Sequence, residues 1–144
     1  MTTPCSSLDA YLPRIRWSLL LMRMGVFIVM LVWTLDKFVN PAHSAAVFET
    51  FYFIPGLEGN VFIVLGVLQL ALVLAFVSGL WKRATYGLIA ILHGVSTLSP
   101  LPLYFDAFNN LLFFAAWPMW AACIALYLLR DLDTQWTLKK LKAS

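Results

Sequence analysis

Of the chain's 144 residues, 62% are hydrophobic and only 12% are charged, and the mean hydropathy is +0.84. Soluble domains run at about half apolar and a quarter charged, and a soluble fold of this size lacks the interior to hide so much apolar surface. The formal net charge of +3 sits in short segments between apolar runs, which argues against a nucleic-acid-binding patch and for topology signals in a membrane protein.

A bilayer core about 30 Å thick needs about 20 helical residues, and four stretches approach that length, at about residues 18–36, 60–80, 84–100 and 110–129. The pattern predicts an all-α fold: a four-transmembrane-helix bundle forming one domain over residues 1–144, with a cytoplasmic tail over 130–144. The first span holds Arg23 about five residues from its inner start, roughly 7 Å deep at 1.5 Å per residue. That side chain either snorkels back to the headgroups or points inward to hold an anionic group or a helix C-terminus. Asp36 and Lys37 close the same span at its outer end. The apolar run is longer than the core of a cleaved signal peptide, and the Asp36-Lys37 pair interrupts the approach to the loose cleavage pattern at Ala42-His43-Ser44.

The following loop, NPAHSAAVFETFYFIPG, predicts a short interfacial helix. Asn40 is its N-cap, Pro41 its first residue and Pro55-Gly56 its stop. Phe48, Phe51, Tyr52 and Phe53 are expected at the outer headgroup level, where aromatic rings are stable. The second span carries one strongly polar side chain, Gln69, and the third carries His93. With antiparallel spans both fall near the midplane, where an interhelical hydrogen bond contributes on the order of 1 kcal/mol. A buried His also serves proton transfer, metal binding or contact with a quinone carbonyl. Gln69, His93 and Arg23 are therefore the candidate polar pocket, which Ser96 and Thr97 extend outward unless they bond their own backbone. Gly87, Ile91 and Gly94 form a seam on the third span suited to close helix approach.

Asn109 and Asn110 open the fourth span at the level of Asp36, Lys37 and Asp106. They either cap the helix, with Asp106 or Asn109 accepting from its free N–H groups, or join Asp36 and Lys37 in an outer polar mouth. Pro118 removes a helix hydrogen bond and is expected to kink the span. Cys5 and Cys123 are too far apart in sequence for a dithiol motif, and Cys123 reads as a packing residue. The tail, DLDTQWTLKKLKAS, is acidic early and basic late. It is expected to fray along the cytoplasmic surface with Trp136 near the headgroups and its lysines drawn to anionic lipid.

Nine of the ten Lys and Arg residues fall on one side: Arg14, Arg16, Arg23, Lys82, Arg83, Arg130, Lys139, Lys140 and Lys142. Lys37 alone lies opposite, while the outer loops carry Glu49, Glu58 and Asp106. The positive-inside rule then places both termini in the cytoplasm of a multi-pass inner-membrane protein. No HExxH, P-loop, GxSxG or dinucleotide fingerprint occurs, so the chain carries no catalytic motif and no evident metal site. His43 and His93 do not make a haem-ligating pair.

From about Met22 to Leu129 the chain resembles the DoxX-like family of small four-helix membrane proteins. The resemblance is carried by Arg23-Met24-Gly25, by Lys37, and by VSGLWKRATYG at residues 77–87, in which Gly79-Leu80-Trp81-Lys82-Arg83 matches the family's Gly-Leu-x-x-Arg. Trp33-Thr34 stands where the family often has His-Gly, and Gln69 where it tends to have Glu. The resemblance implies links to redox metabolism, as in thiosulfate:quinone oxidoreductase subunits and accessory proteins for sulfur, oxidative-stress or metal handling. The expected role is an accessory or structural subunit of a membrane redox system, with the lipid bilayer and other membrane subunits or further copies of itself as partners. The alternatives are a quinone-binding redox protein, with quinone as cofactor, and a small-solute permease.

Overall fold

The computed structural model describes residues 5–57 and 59–138, and every regular element among them is helical. The α-helices are α1 (Cys5–Val39), α2 (Pro41–Tyr52), α3 (Gly59–Val77), α4 (Lys82–Leu98) and α5 (Ala116–Leu128), with 3-10 segments at Leu101–Asn109 and Leu111–Ala115 before α5. Three segments are long and apolar enough to cross a membrane: Asp9–Val39, Gly59–Val77 and Leu111–Leu128. A further candidate is the pair Lys82–Leu98 and Leu101–Asn109, bent by 60° at the break between them. Glu58, Lys139, Lys140 and Lys142 lie outside the described residues.

Helix α1 packs mainly on α3, and α4 mainly on α5; α3 against α4 and α1 against α5 complete the ring, with α2 lying over α1 and α3. On α1 Leu19, Arg23, Val26, Met30 and Thr34 are buried, with Leu20 beside them. That i, i+3, i+4 spacing keeps one stripe facing inward, so Arg23 occupies a core position among aliphatic residues. Opposite it stand Val73 and Phe76 of α3, Tyr86 and Ile89 of α4, and Cys123 and Leu126 of α5. Cys123 is a packing residue, as its surroundings in the sequence suggest. The outward faces remain apolar, as at Leu68 of α3, Ile91 of α4 and Leu128 of α5, all well exposed.

Several sequence expectations are revised. Helix α1 begins thirteen residues before residue 18, running 35 residues through Pro13. Apolar length marks only the part that needs lipid; Ile15, which packs against the core, holds the extra turns in place. Of the four aromatics of α2 and its cap, three face the bundle: Phe48 packs on Phe62, Phe51 on Phe113, and Tyr52 shares a 2.8 Å hydrogen bond with Ser96. Phe53 alone is 80% exposed, and it ends the helix in the left-handed region (φ 57°) ahead of Pro55-Gly56. Asn40 caps α2 as the sequence indicates, its side-chain oxygen accepting from the His43 N–H at 3.3 Å.

At Pro118 the distortion is a change of winding. The backbone runs as a 3-10 segment to Ala115 and becomes α-helical from Ala116, whose N–H reaches the carbonyls of both Phe113 and Phe114. Proline offers no N–H to Phe114, and the tighter turn supplies that donor from Ala116. The Gly87–Gly94 seam is filled from within the chain. A Cβ on Gly94 would lie 2.7 Å from the Trp120 indole nitrogen, and one on Gly87 3.3 Å from the Tyr127 ring. The indole N–H also donates to the Ala90 carbonyl at 3.1 Å, so these glycines seat α5 against α4.

Candidate functional site

The described part of the tail expected to fray, residues 130–138, instead folds back on the end of the bundle that carries the α3–α4 turn. Asp133 is fully buried, Thr137 nearly so, and the Leu138 N–H donates to the Ser78 carbonyl at 3.0 Å. Gly79 makes this possible. Its φ of +70° suits the sharp turn between α3 and α4, and a Cβ there would meet Thr137 Cγ2 at 2.7 Å. Trp136 remains 70% exposed and packs edge-on against Trp17 of α1, ring centroids 6.3 Å apart.

Beneath this folded tail lies a closed polar cluster. Arg23 Nη1 donates to Asp133 Oδ2 at 3.1 Å and to the Tyr86 hydroxyl oxygen at 3.2 Å. Arg23 Nη2 donates to the Gln135 carbonyl at 2.5 Å and more weakly to that of Trp136 at 3.5 Å. The Tyr86 hydroxyl in turn donates to Asp133 Oδ2 at 2.7 Å, and Lys82 Nζ bonds the Asp133 backbone carbonyl. The Arg23 and Asp133 side chains are 1% and 0% exposed. A buried cation of this kind is tolerated only with a counter-charge and further acceptors, and here α1, α4 and the tail supply them together. Arg23 Nε and Asp133 Oδ1 are buried without a hydrogen-bond partner. Chemically, the Arg23–Asp133 ion pair tethers residues 133–136 across the end of the bundle that carries the α3–α4 turn. Of the two sequence readings of Arg23, the inward-facing one describes its placement, and the anionic group it holds is Asp133.

The other two members of the candidate pocket are not brought to Arg23 or to each other by any hydrogen bond. His93 is half-buried, and its Nε2 meets the Ala116 carbonyl at 3.2 Å. Gln69 is half-buried on the inward stripe between Gly66 and Val73 and makes no side-chain hydrogen bond among the described residues. Ser96 bonds Tyr52, while Thr97 donates to the His93 carbonyl of its own helix at 2.8 Å.

The residues of the expected outer mouth form two separate groups with no hydrogen bond between them. In the first, Asp36 Oδ2 contacts His43 Nδ1 at 2.8 Å and accepts from the Ser44 hydroxyl at 3.1 Å, while the His43 ring stacks on Trp33. Lys37 Nζ turns back to the Trp33 carbonyl at 3.1 Å. In the second, Asn109 donates to both Asp106 carboxylate oxygens at 3.0 Å, and Asn110 donates to the Asp106 carbonyl at 2.9 Å. These side chains fold the loop on itself and make no cap on the fourth span. No group of three or more His, Cys, Asp or Glu side chains suited to a metal ion is found among the described residues.

Sequence reasoning missed Asp133, Tyr86 and the tail carbonyls. A signal was present: two acidic residues, Asp131 and Asp133, at the start of an otherwise basic tail, and an arginine in a span with no acidic partner in any other span. Comparison with protein-family profiles, curated proteins and solved structures gives no match to this chain.

Proposed function

We propose that the chain is a four-span protein of the cytoplasmic membrane, similar to the DoxX-like family, with both termini inside, acting as an accessory or structural subunit of a membrane redox system. The observation that carries this reading is the closure of the Arg23–Asp133–Tyr86 cluster on the chain's own groups. Charge in the interior ties three elements together, and the outward helix faces remain apolar for lipid and neighbouring helices. The topology draws support from the same cluster, because Arg23, the Lys82-bearing turn and the tail meet at one end. Asp36, α2 and Asp106 belong to the opposite end, which gives the charge asymmetry of the positive-inside rule.

Quinone binding is the second reading. It draws on Gln69, a half-buried amide with no hydrogen bond among the described residues. One experiment separates the two. The protein is extracted from its native membrane in mild detergent, sized, and analysed for co-purifying subunits and bound quinone. The accessory reading expects a complex larger than the chain alone and unaffected by Gln69→Leu. A lone species carrying quinone that Gln69→Leu abolishes overturns it. Reporter fusions after Trp81 test the topology; an external reporter there refutes the orientation.

A further inference from the structure

Between the inner half of α1 and the end of α5 runs an apolar groove of about 310 Å³, lined by Tyr11, Arg14 and Met22 on one wall and by Ala125 and Leu129 on the other. We infer that it seats one anionic phospholipid of the inner leaflet, its phosphate on Arg14 and an acyl chain along the wall toward Met22. The inference rests on the membrane orientation proposed above.

Two features argue for this occupant. The groove is open and apolar and runs about 12 Å along α1 from Arg14 to Met22, so it seats the upper part of one acyl chain beneath a phosphate at Arg14. The charge matches at the mouth. Arg14 is exposed there with its guanidinium 6.0 Å from the centre of the Tyr11 ring, and it makes no ion pair among the described residues. Arg130, next in the chain to Leu129, also makes no ion pair there; it lies over Tyr127 at 4.8 Å and donates to that residue's carbonyl. A guanidinium with free N–H donors binds a phosphate in a fork geometry. Neither a zwitterionic headgroup nor a neutral quinone ring matches an unpaired cation as well.

Native mass spectrometry of the full-length protein, released from detergent with added phosphatidylglycerol or phosphatidylcholine, tests the site. The expected result is preferential retention of one phosphatidylglycerol, by about fivefold, the factor contributed by one basic side chain toward anionic lipid. Arg14→Gln should remove that preference, with helix content by circular dichroism unchanged. Ala125→Trp, which fills the groove, should reduce retention of both lipids. Equal retention of the two lipids, a preference that survives Arg14→Gln, or retention of a quinone in place of the phospholipid each overturns the inference. A fusion after Trp81 that reports outside would instead overturn the orientation beneath it, so the two failures are distinguishable.

Discussion

Replacing Asp133 by alanine strands Arg23 in the bundle. The pair is 1% and 0% exposed, and removing one partner of a buried pair costs about 3–5 kcal/mol because the remaining charge stays buried. Here Arg23 keeps the Tyr86 oxygen and the Gln135 carbonyl as acceptors, so the lower end, about 3 kcal/mol, is expected. The decisive comparison is Arg23→Met with Asp133→Leu. Replacing a buried pair by apolar residues of similar volume is often neutral or better, but the Gln135 carbonyl then loses its donor and the Tyr86 hydroxyl its acceptor, penalties of about 1–3 kcal/mol each. At the lower end these come to about 2 kcal/mol together, so the double variant should be more stable than Asp133→Ala by about 1 kcal/mol. Reversible unfolding in mixed micelles, followed by tryptophan fluorescence, measures both. The reasoning fails if Asp133→Ala unfolds within about 0.5 kcal/mol of the parent, the usual range of surface changes, or if the double variant is the less stable one.

Tyr86→Phe should cost less than Asp133→Ala, about 1.5–3 kcal/mol for hydrogen bonds to charged groups, because the Arg23–Asp133 contact survives; the same titration reads it, and a larger loss than for Asp133→Ala would contradict the geometry. Gly79→Ala strains a left-handed residue by about 1–2 kcal/mol and drives a methyl into Thr137, so chymotrypsin should cut after Trp136 faster in the variant than in the parent. Gly94→Ala displaces the Trp120 indole and should destabilise by about 1–3 kcal/mol while leaving the oligomeric mass by light scattering unchanged. A change in oligomeric mass would mean that the seam joins two molecules.

The apolar segments were legible because hydrocarbon imposes length and composition residue by residue. The α2 start was legible because Asn40-Pro41 is a local capping signal. Arg23 was flagged because an ionisable residue in a span needs a reason. Its partner was not, because Asp133 lies 110 residues away and no periodicity links the two. The close-approach seam at Gly87 and Gly94 was legible because small residues at helical spacing let helices meet, but which side chain fills it was not, since Trp120 and Tyr127 come from a separate helix. The outer mouth failed as a unit because short side chains such as Asn109 and Asn110 found partners within their own turn.

The tether between Arg23 and Asp133 also sets an order of events at birth. A ribosome adding about 5–20 residues per second reaches position 133 some 5–20 s after position 23. Through that interval the first span carries an unneutralised cation, which must reside near the headgroups or be held by the insertion machinery. Chains that stop before the tail, from nonsense or frameshift mutation, would keep that exposed charge permanently. Membrane quality control could thus distinguish finished molecules from unfinished ones.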